Sequence, residues 1–446
     1  GVVVRMRHEG RQWVQTAKAP GSSPLARLEH NVQVEAEPDG TRPVVDLARH
    51  DGTPVGEVLR RALLPKVGAA FPPLVPLYET DITRLSVSVV HGESEVEIAL
   101  DEGRIVAGTQ SLPVRELELE LKHGRPADVV SLARQGCAIH GLWLSTITKS
   151  MKGQRLAGTA SRHAGGTKAA AYRRHAGGNE LVATVVGTCL EPVLQFASEL
   201  AGGSRDAGHI HQVRVGIRRL RTALRELAGL TDGVDPAWEA PLVDVFKALG
   251  QHRDQQNLAL SVEPLVEAAG GPSVAASAVG KDVPDPGDAV LAPAFQDTLL
   301  GLLEFALREP ANAGPDHKKT RKLVRKALAR LHAQILEEGC RFASLDEVHQ
   351  HRLRKRVKRL RYLAEFAAPL FPSRKTQDFG DSLKPLQDAL GLYNDGLMAL
   401  HTYRALARDD PKAWFAVGWL SAKREPQVLA CQCAMQNFSR MRVFWE

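Results

Sequence analysis

An α+β chain of at least two domains is the architecture the sequence predicts, and three observations carry it. Through residues 1–158, apolar and charged residues alternate with period two, the mark of half-buried strands. From about residue 179 to 446 the period becomes helical. Within that stretch one basic motif occurs twice: His211-Gln-Val-Arg214-Val-Gly-Ile-Arg218-Arg219-Leu-Arg221 is answered by His351-Arg-Leu-Arg354-Lys-Arg-Val-Lys358-Arg359-Leu-Arg361.

In the first part, Val4–Arg7, Trp13–Lys18, Ile82–Val87, Glu95–Ile98 and Glu116–Lys122 read as antiparallel strands, several set off by turn signals such as His8-Glu9-Gly10 and Asp101-Glu102-Gly103. Their polar positions carry charges of both signs: Arg5, Arg7, Lys18, Arg84, Glu95, Glu97, Glu118, Glu120 and Lys122. A solvated face accounts for one such strand. Several in one domain favour a closed barrel with a charged interior, its apolar side covered by helices over Gly56–Val67 and Ala127–Gln135. Residues 159–178, where Arg162-His-Ala-Gly-Gly166 recurs as Arg174-His-Ala-Gly-Gly178, read as a flexible basic linker.

The helical part, 179–446, opens on Asn179–Ala201 and a first basic helix capped near Asp206. A Gly- and Pro-rich connection, Ala269–Ala292, reads as an exposed join between its halves. Helices follow over Phe295–Leu307, Lys318–Leu336, Glu347–Ala367, Lys384–Leu406 and Lys412–Lys423, and Arg442–Glu446 reads as a C-terminus. The duplication extends to Leu249-Gly250 before Asp254 and Leu390-Gly391 before Asp395, which predicts two similar four-helix bundles related by an approximate two-fold axis.

Helical spacing gathers His211, Arg214, Arg218, Arg221 and Arg225 into one stripe, beside an apolar stripe of Val213, Ile217, Leu220 and Leu224. His351, Arg354, Lys358 and Arg361 repeat the arrangement. Like charges a helical turn apart repel unless an anion bridges them, and planar guanidinium groups suit paired phosphate oxygens. The stripes are therefore candidates for one phosphate-binding groove or pore, flanked by Arg321, Lys322 and Arg325. Asp254 and Asp395 are expected to pair with the basic helix of their own bundle.

The formal charge of +7 over 446 residues favours an anionic partner. Five scattered cysteines form no paired ligand motif and predict a reducing, cytoplasmic setting. No run approaches the roughly 20 apolar residues of a membrane span, and no signal peptide is visible. The chain opens on Gly1 rather than Met, as a fragment would.

Two resemblances attach to these residues. Arg5-Met-Arg7, the Trp13–Lys18 strand, Glu95-Val-Glu97, Glu116-Leu-Glu118-Leu-Glu120-Leu-Lys122, Lys149 and Gly153-Gln-Arg155-Leu resemble the CYTH domain of triphosphate tunnel metalloenzymes. That resemblance implies a triphosphate held in a β-tunnel by Arg5, Arg7, Lys18, Arg84 and Lys122, with Mg²⁺ or Mn²⁺ on Glu95, Glu97, Glu118 and Glu120. The family opens on an ExExK strand, and none precedes Arg5 here, so the expectation is a partial tunnel without triphosphatase activity in this chain as it stands.

The paired His-x-x-Arg and Leu-Gly motifs are similar to the CHAD domain, a conserved-histidine helical domain that binds inorganic polyphosphate and needs no cofactor. This implies phosphate contacts at His211, Arg214, Arg218, Arg219, Arg221, His351, Arg354, Lys358, Arg359 and Arg361, and residence at cytoplasmic polyphosphate granules. Polyphosphate binding is thus the leading expectation. A Mg²⁺- or Mn²⁺-dependent inorganic triphosphatase whose helical half recruits the polymer is the alternative. Nucleic-acid binding comes third, because aromatic content is 5% and no aromatic residue alternates with the basic ones to stack bases.

Overall fold

The computed structural model describes residues 2–10, 12–21, 27–35, 43–63, 74–159, 172–274, 276, 283–308 and 314–446. The architecture is α+β, antiparallel sheets with helices in the first part and helices in the second. The described chain forms two compact units, one of Gly1–Val87, Ile98–Glu118 and Thr146–His163, the other of Ser88–Glu97, Leu119–Ser145 and Ala164–Glu446.

One sheet joins β1 (Val3–Glu9), β2 (Gln12–Pro20) and β3 (Arg27–Val34). Its register sets Val3 opposite Lys18 and Lys18 opposite Glu29, then Arg5 opposite Thr16 and Thr16 opposite Asn31. Alternation therefore collects Arg5, Arg7, Lys18 and Glu29 on one face. The opposite face buries Ala17 and Ala19 against Val55 of α1 (Pro54–Leu63). The helix expected over Gly56–Val67 is this α1, and it does cover the sheet; residues 64–67 lie outside the described residues. The alternation expected around Arg5 and Lys18 holds, while β3 was not anticipated.

A second sheet orders β4 (Glu79–His91), β5 (Ser94–Ala107) and β6 (Gln110–His123). Two-residue turns join them, and Gly92 and Gly108 supply the positive φ at the first turn position that such tight hairpins require. The Asp101-Glu102-Gly103 segment, expected as a turn, instead runs inside β5. There Gly103 permits close passage of β4, since a Cβ at that position would overlap the Asp81 carbonyl oxygen. Asp101 is consequently a buried strand residue, 1% exposed.

α2 (Pro126–His140) corresponds to the second expected cover, but its partner is different. Val130 enters the helical core, and Arg134 donates through Nε and Nη2 to Asp297. α3 (Lys149–Leu156) is capped by Thr148 and lays Gly153 against the Tyr78 ring, where a Cβ would collide.

The helical part runs α4 (Gly178–Ala201), α5 (Ala207–Leu227), α6 (Glu239–Asn257), α7 (Glu263–Ala268), α8 (Pro286–Leu291), α9 (Pro293–Leu307), α10 (His317–Gly339), α11 (Glu347–Ala367), α12 (Ser373–Leu406) and α13 (Ala413–Ser439). Asp206 caps α5 as expected, accepting from the Gly208 and His209 amides. α4 packs on α5 and α9, α10 on α11, and α12 on α13, with α5 meeting α11 between the two sets. α12 and α13 exceed their expected lengths because Pro385 and Pro426 sit inside them without ending them.

Three other expectations change. α4 is long and apolar enough to cross a membrane by length and composition, yet Leu181, Val185, Leu190 and Val193 are central to the helical core. The 269–292 connection ends in α8, whose Val290 is fully buried. Of the expected linker, residues 160–171 lie outside the described residues, while beyond them Tyr172 donates its hydroxyl to the Phe366 carbonyl at 2.5 Å.

α5 can approach α4 because Gly216 faces Val193, and a Cβ there would overlap Val193 Cγ2. Gly216→Val is expected to cost about 1–3 kcal/mol by overpacking, read as a lower midpoint in thermal denaturation. An unchanged midpoint would mean that the α4–α5 contact adapts.

Candidate functional site

The two basic helices meet at equivalent positions. On α5, Arg219 is buried at 4% exposure, pairs with Glu365 of α11 and lies over the Tyr362 and Phe366 rings. On α11, the corresponding Arg359 reaches Glu226 of α5 at 3.3 Å, and Arg330 of α10 reaches the same carboxylate at 2.6 Å. The Glu226 side chain is 1% exposed, so these two cations are what offset the burial of its carboxylate. The position eight residues after each motif histidine thus locks one basic helix to the other. The Arg219 and Arg359 guanidinium groups, both expected to contact phosphate, are engaged within the protein.

Beside this lock, the stripes converge. Lys358 is pushed down to about 6, first by burial and then by repulsion from Arg218 and Arg354, with Asp395 opposing. Arg354 is lowered by burial and by Arg218, and Arg214 is pushed down to about 10 by burial and Arg218. His211, lowered chiefly by burial, also feels Arg253, Arg218, Arg214 and Lys358. Residues of α5, α6 and α11 therefore share one cationic centre, with Arg218 and Lys358 at its middle. Among the described residues neither of these two closes an ion pair with a carboxylate.

The remaining stripe residues sit as follows. Arg221 is held by Glu239 at 2.5 Å and Arg361 by Glu365 at 3.4 Å. His351 shares a hydrogen bond with Asn394 Oδ1 at 3.0 Å. Arg225 is exposed, near enough to Arg359 to lower it. Arg321 lies over the Phe371 ring, while Lys322 and Arg325 are exposed on α10.

Asp395 lies 3.9 Å from Arg354, and Asp254 is raised by burial and by Asp395, against the pull of Arg214. Each aspartate faces the basic helix of its own set, as expected, and the two also approach each other. Gly250 lets the Arg214 guanidinium lie against α6, where it donates to the Phe246 carbonyl and stacks 4.1 Å from that ring. Arg253 was missed by the sequence reading, although it immediately precedes Asp254.

In the strand-rich part, Arg84 of β4 donates two bonds to Asp101 of β5, at 2.7 and 2.6 Å, and one to Glu118 of β6 at 2.5 Å. Lys149 of α3 reaches Asp101 at 2.6 Å, Glu118 at 2.7 Å and also Glu116, while Lys152 reaches Glu116 at 2.7 Å. Burial alone would raise Asp101, but hydrogen bonds from Arg84 and Lys149 outweigh it and hold the carboxyl below its usual range. Carboxylate oxygens of Asp101, Glu116 and Glu118 all lie within 4.8 Å of one another.

The four glutamates expected to hold a metal are not brought together as one set. Glu118 converges with Asp101 and Glu116, whereas Glu97 and Glu120 pair with Lys122 at 3.3 and 3.1 Å and Glu95 is exposed. Asp101 was hidden by its turn-like neighbours. Of the cations assigned to triphosphate, Arg5 is lowered by desolvation first, then by Arg7, with a smaller effect of Arg84. Those three share one charged region. Arg7 also pairs with Glu9 at 2.7 Å, Lys18 with Glu29 at 2.6 Å, and Lys122 belongs to the Glu97–Glu120 cluster.

Residues 1–152 match the family model for the CYTH domain, and residues 185–404 that for the CHAD domain. The chain is a CYTH domain followed by a CHAD domain. An inorganic triphosphatase of Haemophilus influenzae is 26% identical over 153 residues, which cover 34% of this chain. The match spans 40% of that relative's length. The crystal structure of the CHAD domain from the plant Ricinus communis is similar with a TM-score of 0.53 and 25% identity, over 64% of this chain and 99% of that one.

The geometry separates locking arginines from available ones. Arg219→Ala is expected to destabilise the CHAD domain by on the order of 2–4 kcal/mol, through loss of the Glu365 pair and two ring contacts. Arg218→Ala is expected to leave stability unchanged or raise it, by removing repulsion from Lys358. Denaturant unfolding of both variants checks this; equal losses would mean that Arg218 is also a structural tie.

Proposed function

We propose that the CHAD domain binds inorganic polyphosphate along the joint face of α5 and α11. The observation that carries this reading is the Arg218–Lys358 centre, where burial and repulsion from Arg218 and Arg354 disfavour the charge on Lys358 and, among the described residues, no carboxylate closes an ion pair on Arg218 or Lys358. A polyanion relieves that repulsion and releases counterions, so affinity should fall steeply with salt. His211, Arg214, Arg218 and Arg253 would contact the polymer from one side, His351, Arg354, Lys358 and Arg361 from the other. The reciprocal Arg219–Glu365 and Arg359–Glu226 pairs support two four-helix bundles related by an approximate two-fold axis. Nucleic acid fits less well, because Phe246 and Tyr362 lie beneath Arg214 and Arg361 rather than open for base stacking. Residence at cytoplasmic polyphosphate granules belongs to the same proposal.

Proton linkage follows with a definite sign. Lys358 titrates near 6 in the folded, unliganded protein against 10.5 ordinarily, so between those values the unfolded chain holds more protons. Its contribution to stability therefore worsens as pH falls through that window. A bound polyanion raises the Lys358 pKa, and binding at pH 7.5 takes up protons. Calorimetric titration with long-chain polyphosphate is expected to give enthalpies that vary with buffer ionisation heat, and affinities that rise from pH 8.5 to 6.5. Lys358→Met should remove most of the buffer dependence and weaken binding on the order of tenfold. Binding indifferent to salt and to the Arg218→Glu/Lys358→Glu double substitution would overturn the proposal.

A second reading rests on the CYTH domain: a metal-dependent inorganic triphosphatase acting in a partial β-tunnel, with the CHAD domain recruiting polymer. The oxygen-only donor set of Asp101, Glu116 and Glu118 suits Mg²⁺ or Mn²⁺. Bound there, the metal would polarise a phosphoryl oxygen. Arg5, Arg7, Arg84 and Lys149 would hold and orient the triphosphate, and moving Arg84 and Lys149 onto phosphate would free the carboxylates they now occupy. Asp101→Asn and Glu118→Gln are each expected to lower Mg²⁺-dependent phosphate release from tripolyphosphate by on the order of 100-fold, while Glu95→Gln leaves it near wild type. No release by the unaltered chain with either metal would remove this second reading and leave polyphosphate binding untouched.

A further inference from the structure

The two motif copies differ beside their second basic residue. In the first copy, Arg214 is folded against Phe246 and donates to its carbonyl, so the guanidinium fills the space between α5 and α6. In the second, the position matching Phe246 by the Leu-Gly alignment is Gln387. Among the described residues Arg354 has no ring beneath it there, and its buried Nε has no hydrogen-bond partner. A cavity of about 310 Å³ opens between α11 and α12, at the lower end of the range for small-molecule sites, ~300–1,000 Å³.

The lining of this cavity is of two kinds. Leu390, Leu397, Met398 and Val348 supply an apolar wall, with the Tyr393 ring fixed among them by its hydroxyl donating to Gln350 Oε1 at 2.6 Å. His351 and Arg354, which also belong to the basic stripe, line it as well, with Asn394. A thioether and an aromatic edge suit a flat, polarisable ring system. An anionic tail leaving the cavity past Arg354 meets Lys358 one helical turn along. Inorganic polyphosphate would use the cationic residues and has nothing to place against the apolar ones.

We propose that this cavity binds the base of a nucleoside polyphosphate, with its phosphate tail on His351, Arg354 and Lys358, so that nucleotide and inorganic polyphosphate compete for the α11 half of the groove. The inference deepens the polyphosphate reading of the CHAD domain and rests on it. Asn394 and Glu347 provide polar atoms at the cavity for the edge of the base. Glu347 is held there by His401 at 3.1 Å and Arg424 at 3.2 Å.

The test uses the full chain in EDTA, where metal-dependent hydrolysis is suppressed, with 8-azidoadenosine triphosphate as a photoreactive probe and peptide mass spectrometry as readout. The expected result is labelling of α11 and α12 peptides containing residues 347–354 or 390–401, at least tenfold reduced by ATP or long-chain polyphosphate. Leu397→Trp, which fills the cavity, should abolish that labelling while leaving calorimetric polyphosphate binding within about twofold of wild type. Met398→Lys serves as a second, more exposed block. Labelling elsewhere only, or labelling of these peptides that survives both substitutions, overturns the nucleotide site while polyphosphate binding stands. Absence of polyphosphate binding in the unaltered chain overturns the groove itself, and the nucleotide proposal with it.

Discussion

The helical part depends on placing many cations next to one another in partly buried positions and still keeping two helices together. Repulsion between α5 and α11 is offset at one repeated position. Arg219 and Arg359 each cross to a carboxylate on the other helix, and Glu226 at 1% exposure cannot be left without its partners. A buried charge is costly alone and tolerable in a pair, so these contacts set the register of the helices more than they add net stability. That register places Arg218 and Lys358 near enough to repel. Burial of Lys358, and after it repulsion from Arg218 and Arg354, become built-in properties of the fold, and lowering Lys358 to about 6 is their chemical expression.

The strand-rich part solves the same problem differently. Its charges also lie on one face, gathered there by period-two alternation, but they are balanced locally. Arg84, Lys149 and Lys152 interleave with Asp101, Glu116 and Glu118, and each carboxylate accepts from at least one cation. Thr148 caps α3 so that Lys149 and Lys152 fall toward the β6 carboxylates, and Gly153 allows the helix to settle against Tyr78.

Much of this was legible in the sequence, because helical and strand periods report which residues share a face. Glu347–Ala367 was read with the bounds of α11 itself, and the cationic stripe of α5 survives in the structure. The failures have physical causes. Arg219 stands one residue beyond the stripe, a turn of about 100° around the helix, so treating Arg218-Arg219 as a single basic feature blurred a stripe residue with a locking one. Asp101 precedes Glu102-Gly103, whose turn-like composition masks a continuous strand; the glycine is there for close passage of β4, not for reversal. Partners brought from distant elements, such as Asp297 for Arg134 or Glu365 for Arg219, leave no local periodic signal at all.

The contrast between compensated and uncompensated charge bears on selectivity. On the proposed reading, a polyanion at the α5–α11 face meets Arg218 and Lys358, which among the described residues pair with no carboxylate, so its length and total charge dominate its affinity. A ligand reaching Arg84 and Lys149 must break existing bonds to Asp101 and Glu118, and only an anion accompanied by a cation for those carboxylates recovers what is lost. Balanced networks of this kind discriminate by demanding that both charges be replaced together. Unbalanced ones attract first and discriminate little. On the proposed reading, the α5–α11 face therefore captures polymeric phosphate in general, and the interleaved cluster takes a particular combination of phosphate and divalent metal.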